Sequence, residues 1–122
     1  MEPALMMKTA FALLTITALG GVVMAVVRLG RGVNPPSWLA MLHGLLAGSA
    51  LTLLLYAYFT VGLPALAGWG LLLFVVAALG GVYLNLGYHA KAVLLPKPVV
   101  VVHAVIAVVG YVLLLMAVLG AK

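Results

Sequence analysis

Apolar residues fill this chain in four long blocks, and the polar positions fall mostly between them. The first block extends from about Ala4 to Val27 and is closed by Arg28 and Arg31. The turn Asn34-Pro35-Pro36-Ser37 starts a second block that reaches about Thr60, and Gly62-Leu63-Pro64 starts a third that continues to about Gly87. Tyr88 to Pro98 carries His89, Lys91 and Lys97, and the fourth block begins at Pro96 and Pro98 and ends near Leu119. A bilayer core of about 30 Å needs about 20 helical residues, so each block is predicted as a membrane-spanning helix. Proline in the first turn of a helix removes no intrahelical hydrogen bond, which marks these starts. Short connections alternate the helix directions, which predicts an all-α, transmembrane four-helix bundle, up-down-up-down, in one domain covering 1–122.

Composition agrees with lipid as the solvent. The chain is 68% apolar and 6% charged with a mean hydropathy of +1.41, whereas a soluble domain carries about a quarter charged residues. One acid, Glu2, stands against six bases. The bases are too scattered for a nucleic-acid footprint and report loop orientation instead. Arg28, Arg31, Lys91 and Lys97 lie in the first and third connections, which the positive-inside rule places in the cytoplasm, with both termini on the other side of a bacterial inner membrane. The first block is too long for a signal peptide, and its basic cluster follows it. Cysteine is absent, which excludes disulfides, thiolate metal sites, iron–sulfur clusters and covalent c-type haem. A single carboxylate leaves no pair for acid–base catalysis, cation cages or proton relays. Three histidines and a few hydroxyls remain.

The histidines stand out through an internal repeat. At a shift of 60 residues, Leu19-Gly20-Gly21-Val22 falls on Leu79-Gly80-Gly81-Val82, Arg31 on Lys91, Pro36 on Pro96, His43 on His103 and Ala47 on Ala107. Repeat 1 covers about 4–60 and repeat 2 about 64–120, each a helical hairpin of the same topology, so a pseudo-two-fold axis along the membrane normal is predicted. His43 and His103 each follow their proline by seven residues, roughly 10 Å into the helix. The second and fourth helices are diagonal neighbours, roughly 12–14 Å apart, so two inward imidazoles leave room for one metal ion.

Two opposed imidazoles are too few for tetrahedral zinc but match the two axial positions of a haem. Gly20-Gly21 and Gly80-Gly81 on the other two helices offer close backbone approach at about the same depth. The stripe His43, Ala47, Ala50, Leu54, Ala57 repeats as His103, Ala107, Gly110, Leu114, Ala117, so the bundle should close tightly beyond the histidines, leaving space for one haem only. Arg28, Arg31, Lys91 and Lys97 are placed to meet haem propionates at the loop face. This arrangement resembles the four-helix haem-binding bundle of respiratory cytochrome b. The resemblance implies one non-covalent haem b and electron transfer with a quinone or a redox protein. With one histidine per ligating helix, the chain departs from the two-haem pattern of that family.

The competing reading is a haem-free structural or accessory subunit of a larger membrane complex, with the histidines bonded to each other or to Ser49 or Thr52. An exporter has less support, because Glu2 lies outside every span. No nucleophile, acid or base accompanies the histidines, so no catalytic residue is assigned. His89 reads as an interfacial side chain. Trp38, Trp69, Tyr56, Tyr58 and Tyr83 read as interface anchors or packing. The six methionines form no copper-binding motif. Homo- or hetero-oligomeric assembly is left open by the sequence.

Overall fold

Proline sets the start of every helix. In the computed structural model, which describes residues 2–121, α1 spans Pro3–Arg31, α2 Ser37–Thr60, α3 Ala65–Gly87 and α4 Lys97–Gly120, with a single 3₁₀ turn at His89–Lys91. Pro3 and Pro98 occupy the first turns of α1 and α4, while Pro36, Pro64 and Pro96 stand immediately before α2, α3 and α4. The fixed φ of proline is already that of a helix start. The described residues contain no strand, and all four long helices are long and apolar enough to cross a membrane. The chain is an all-helical integral membrane bundle. α1 runs one turn beyond its predicted end near Val27, because Arg28 to Arg31 continue the helix up to the left-handed Gly32.

Each hairpin packs most closely on itself, α1 against α2 and α3 against α4; α1 also meets α4, and α2 meets α3. α2 and α4 thus lie across the diagonal. The predicted stripes face the interior. Ala50, Leu54 and Ala57 of α2 are buried, as are their equivalents Gly110, Leu114 and Ala117 of α4. The inward register of α1 carries Met7, Ala10, Leu14 and Thr17, and α3 matches it with Ala67, Gly70, Phe74 and Ala77.

Packing is uneven along the bundle axis. The main core consists of Met7, Ala10, Leu14, Ala50, Leu54, Ala67, Leu71, Phe74, Leu114 and Ala117, all in the half that holds the termini. In that half α3 and α4 approach until a Cβ built on Gly70 would lie 3.0 Å from the Gly110 carbonyl oxygen. Toward the α1–α2 and α3–α4 connections, the loop face, the buried residues are Arg28, Pro35, Leu84 and Val100. The core stops at the histidines.

Candidate functional site

His43 and His103 come together where the two halves of the bundle meet. Their ring centroids are 6.4 Å apart and their planes are inclined by 67°. Both rings are half-buried. His43 Nδ1 lies 2.9 Å from the carbonyl oxygen of Thr17, and His103 Nδ1 lies 2.7 Å from that of Ala77. Thr17 and Ala77 are themselves 60 residues apart, so the repeat extends to individual hydrogen bonds. A carbonyl oxygen only accepts, so each Nδ1 carries the proton and each Nε2 of the neutral ring presents a lone pair. This hydrogen bond fixes tautomer and ring orientation in the way that outer-shell carbonyls do for metal-binding histidines.

Neither Nε2 has a hydrogen-bond partner among the described residues, and no fully buried side-chain polar atom there is left unpaired. The two nitrogens therefore open on to accessible space. Two Nε2 atoms facing one ion at about 2.0–2.1 Å would set the ring centroids roughly 6.3–6.6 Å apart, and the centroids here are 6.4 Å apart. The interplanar angle is no obstacle, since an imidazole rotates about its bond to a metal. No third histidine or acid joins the pair among the described residues, so the protein contributes two ligands. A group that supplies its own remaining ligands, as a porphyrin does, fits that donor set.

The glycines act closer to the rings than the sequence suggested. A Cβ on Gly21 would lie 3.1 Å from His43 Cε1, and one on Gly81 would lie 3.3 Å from His103 Cε1. The clearance expected for a porphyrin edge is occupied at these two positions by the imidazoles, which pack on the bare backbone of the neighbouring helix. Gly80 also borders His103, whereas Gly20 would meet only Leu39 Cδ1, at 3.9 Å. Gly20 and His43 also line an apolar groove of about 250 Å³ on the outer side of α1 and α2.

Ser49 and Thr52 are not partners of the histidines. Their hydroxyls donate to carbonyls of their own helix, at Leu45 and Gly48. Nor do the two imidazoles bond to each other. In both rings Nδ1 is taken instead by a backbone carbonyl on the adjacent helix.

The four cations separate. Arg31, Lys91 and Lys97 are exposed at the loop face, while Arg28 is 7% exposed and donates its Nε–H to the Leu95 carbonyl oxygen at 2.8 Å. Arg28 is one member of a polar clasp joining the two connections. Asn34 donates from Nδ2 to the Val93 carbonyl and accepts at Oδ1 from the Leu95 N–H. His89 donates from Nε2 to the Pro35 carbonyl at 2.8 Å. His89 is thus a bridge between hairpins, not a free interfacial side chain. Nothing in the sequence marks the clasp, because three of its four acceptors are main-chain carbonyls 54–67 residues away. The nearest available signal was Asn34, a polar residue in an otherwise proline-rich turn.

No family model, no curated protein and no solved structure matches this chain.

Proposed function

We propose that the protein is a membrane b-type cytochrome that holds one haem b between His43 and His103. The observation that carries this reading is the imidazole pair, with both Nδ1 atoms committed to main-chain carbonyls, both Nε2 atoms free and 6.4 Å between centroids. The shortage of fully buried residues between the histidines and the loop face, where only Arg28, Pro35, Leu84 and Val100 are buried, is compatible with this reading. When bound, the haem would supply a reversible one-electron couple, and being held by both His43 and His103 would favour electron exchange over oxygen binding. The chain's own contribution is to keep both imidazoles neutral at Nε2, aimed by the Thr17 and Ala77 carbonyls, and shielded from the far side by the core around Leu54 and Leu114. Exchange partners of the proposed cytochrome are a quinone in the lipid or a redox protein at the basic loop face.

Detergent-purified protein, or apoprotein given haem, should show a low-spin spectrum with a sharp reduced α-band. His43→Ala and His103→Ala should each abolish the six-coordinate species. Protein that takes up no haem overturns the proposal.

We also place the loop face in the cytoplasm of a bacterial inner membrane, because the exposed cations Arg31, Lys91 and Lys97 gather there. The cysteine-free chain allows a direct check. Arg31→Cys should react with an impermeant maleimide only after the membrane is opened, and Lys8→Cys should react in intact spheroplasts.

A further inference from the structure

Arg28 is a buried cation with no anion beside it among the described residues. It is the only buried charged side chain among the described residues, at 7% exposure. Its Nε–H is used by the Leu95 carbonyl, while the four N–H donors on its two Nη atoms have no partner among the described residues. Because no fully buried side-chain polar atom there is unpaired, those Nη groups must reach accessible space. The one acid, Glu2, caps the other end of α1, roughly 39 Å away along the helix. A guanidinium removed from bulk water calls for a counter-charge. The clasp around it supplies Asn34, His89 and backbone carbonyls, and no carboxylate among the described residues. The internal repeat sharpens the point, since the equivalent position in the second hairpin is the neutral Tyr88.

We propose that Arg28 binds an oxyanion from outside the chain, a lipid phosphate or a carboxylate, through its two Nη groups. The Leu95 carbonyl locks the guanidinium from the Nε side, and Asn34 holds Leu95 through the backbone N–H of that residue at 2.9 Å. The fork therefore presents its open edge in a fixed direction, the geometry that bidentate carboxylate and phosphate recognition uses. Arg31, Lys91 and Lys97 are exposed by comparison, and contribute general attraction only. The inference does not depend on the histidine pair.

Two arms separate the sources of the anion. In the first, protein in nanodiscs of mixed phosphatidylglycerol and phosphatidylcholine with matched tails is released into native mass spectrometry and the retained lipid is counted. In the second, affinity for haem is compared with affinity for its dimethyl ester, read as the absorbance change on titration. The wild type should prefer the anionic member on the order of tenfold in at least one arm. Arg28→Gln should erase that preference, Arg28→Lys should keep part of it, and the triple variant Arg31→Gln, Lys91→Gln, Lys97→Gln should keep most. Asn34→Ala loosens the same connection but retains the guanidinium, so it should keep the preference at reduced strength. A wild type without preference in either arm means that water alone serves Arg28, and the proposal falls. It falls equally if Arg28→Gln retains the preference, or if the triple variant or Asn34→Ala erases it as completely. Absence of haem uptake would end the cytochrome reading while leaving the lipid arm as a complete test.

Discussion

At Gly21 and Gly81 the absence of one carbon atom decides where an imidazole sits. A methyl group at Gly21 would stand 3.1 Å from His43 Cε1, tighter than most packed contacts, so the ring must give by a few tenths of an ångström. Gly21→Ala should therefore turn His43 off its carbonyl and lower haem affinity or convert part of the low-spin signal to high-spin. Gly81→Ala, with its contact at 3.3 Å, should do so more mildly. Gly20→Ala, whose Cβ meets only Leu39 Cδ1 at 3.9 Å, should leave the spectrum unchanged. If all three behave alike, the glycines serve general helix packing and not the histidines. Much of this site was legible from residues alone: two histidines and two Gly-Gly pairs recurring at one spacing are difficult to obtain by chance in an apolar sequence. The choice of nitrogen was not legible, because Thr17 and Ala77 enter through main-chain oxygens, which every residue possesses.

The helices show how far a repeat in sequence becomes a repeat in structure. Gly32 ends α1 with φ +71°, and Ala92, 60 residues later, adopts φ +56° after the 3₁₀ turn. The backbone makes the same left-handed exit in both hairpins, once with the residue suited to it and once without. Ala92→Gly should stabilise the protein by up to about 1 kcal/mol, and Gly32→Ala should destabilise it by a similar amount, measured by unfolding in mixed micelles. The hairpins differ where Ala10 and Ala50 of the first are replaced by Gly70 and Gly110 of the second. The α3–α4 backbones come so close that a Cβ on Gly110 would lie 3.2 Å from the Gly70 carbonyl oxygen. Helix starts and spans were readable from prolines and apolar length. The continuation of α1 to Arg31, against a break after Gly87 in α3, was not. It depends on Tyr88 leaving the helix to bring His89 under Pro35, a contact made by the other hairpin.

The whole molecule divides into a closed half and a half held shut mainly by its clasp, and the two should fail separately. In a bilayer, lipid tails compete with side chains for apolar contact, so helix association rests on packing and on polar bonds between helices. Leu114 is fully buried in the core of the closed half. Leu114→Ala should remove packing there and cost about 2–4 kcal/mol of total stability. Asn34 makes two hydrogen bonds between the connections, at 2.8 and 2.9 Å, each worth about 1 kcal/mol at most in a partly exposed position. Asn34→Ala should thus lower global stability little, yet raise amide exchange selectively at Val93 and Leu95 and in the first turn of α2. Hydrophobic periodicity announces the closed half, since its alanine, glycine and leucine stripes recur at helical spacing. The same periodicity continues past the histidines without a matching core, because residues such as Met24, Leu39 and Val99 there are only half-buried. If Asn34→Ala increases exchange throughout all four helices, the clasp is a global support and the two halves are one cooperative unit. If exchange rises only at the loop face, the histidines sit at the boundary between a rigid base and a half that can open to admit a prosthetic group from the side.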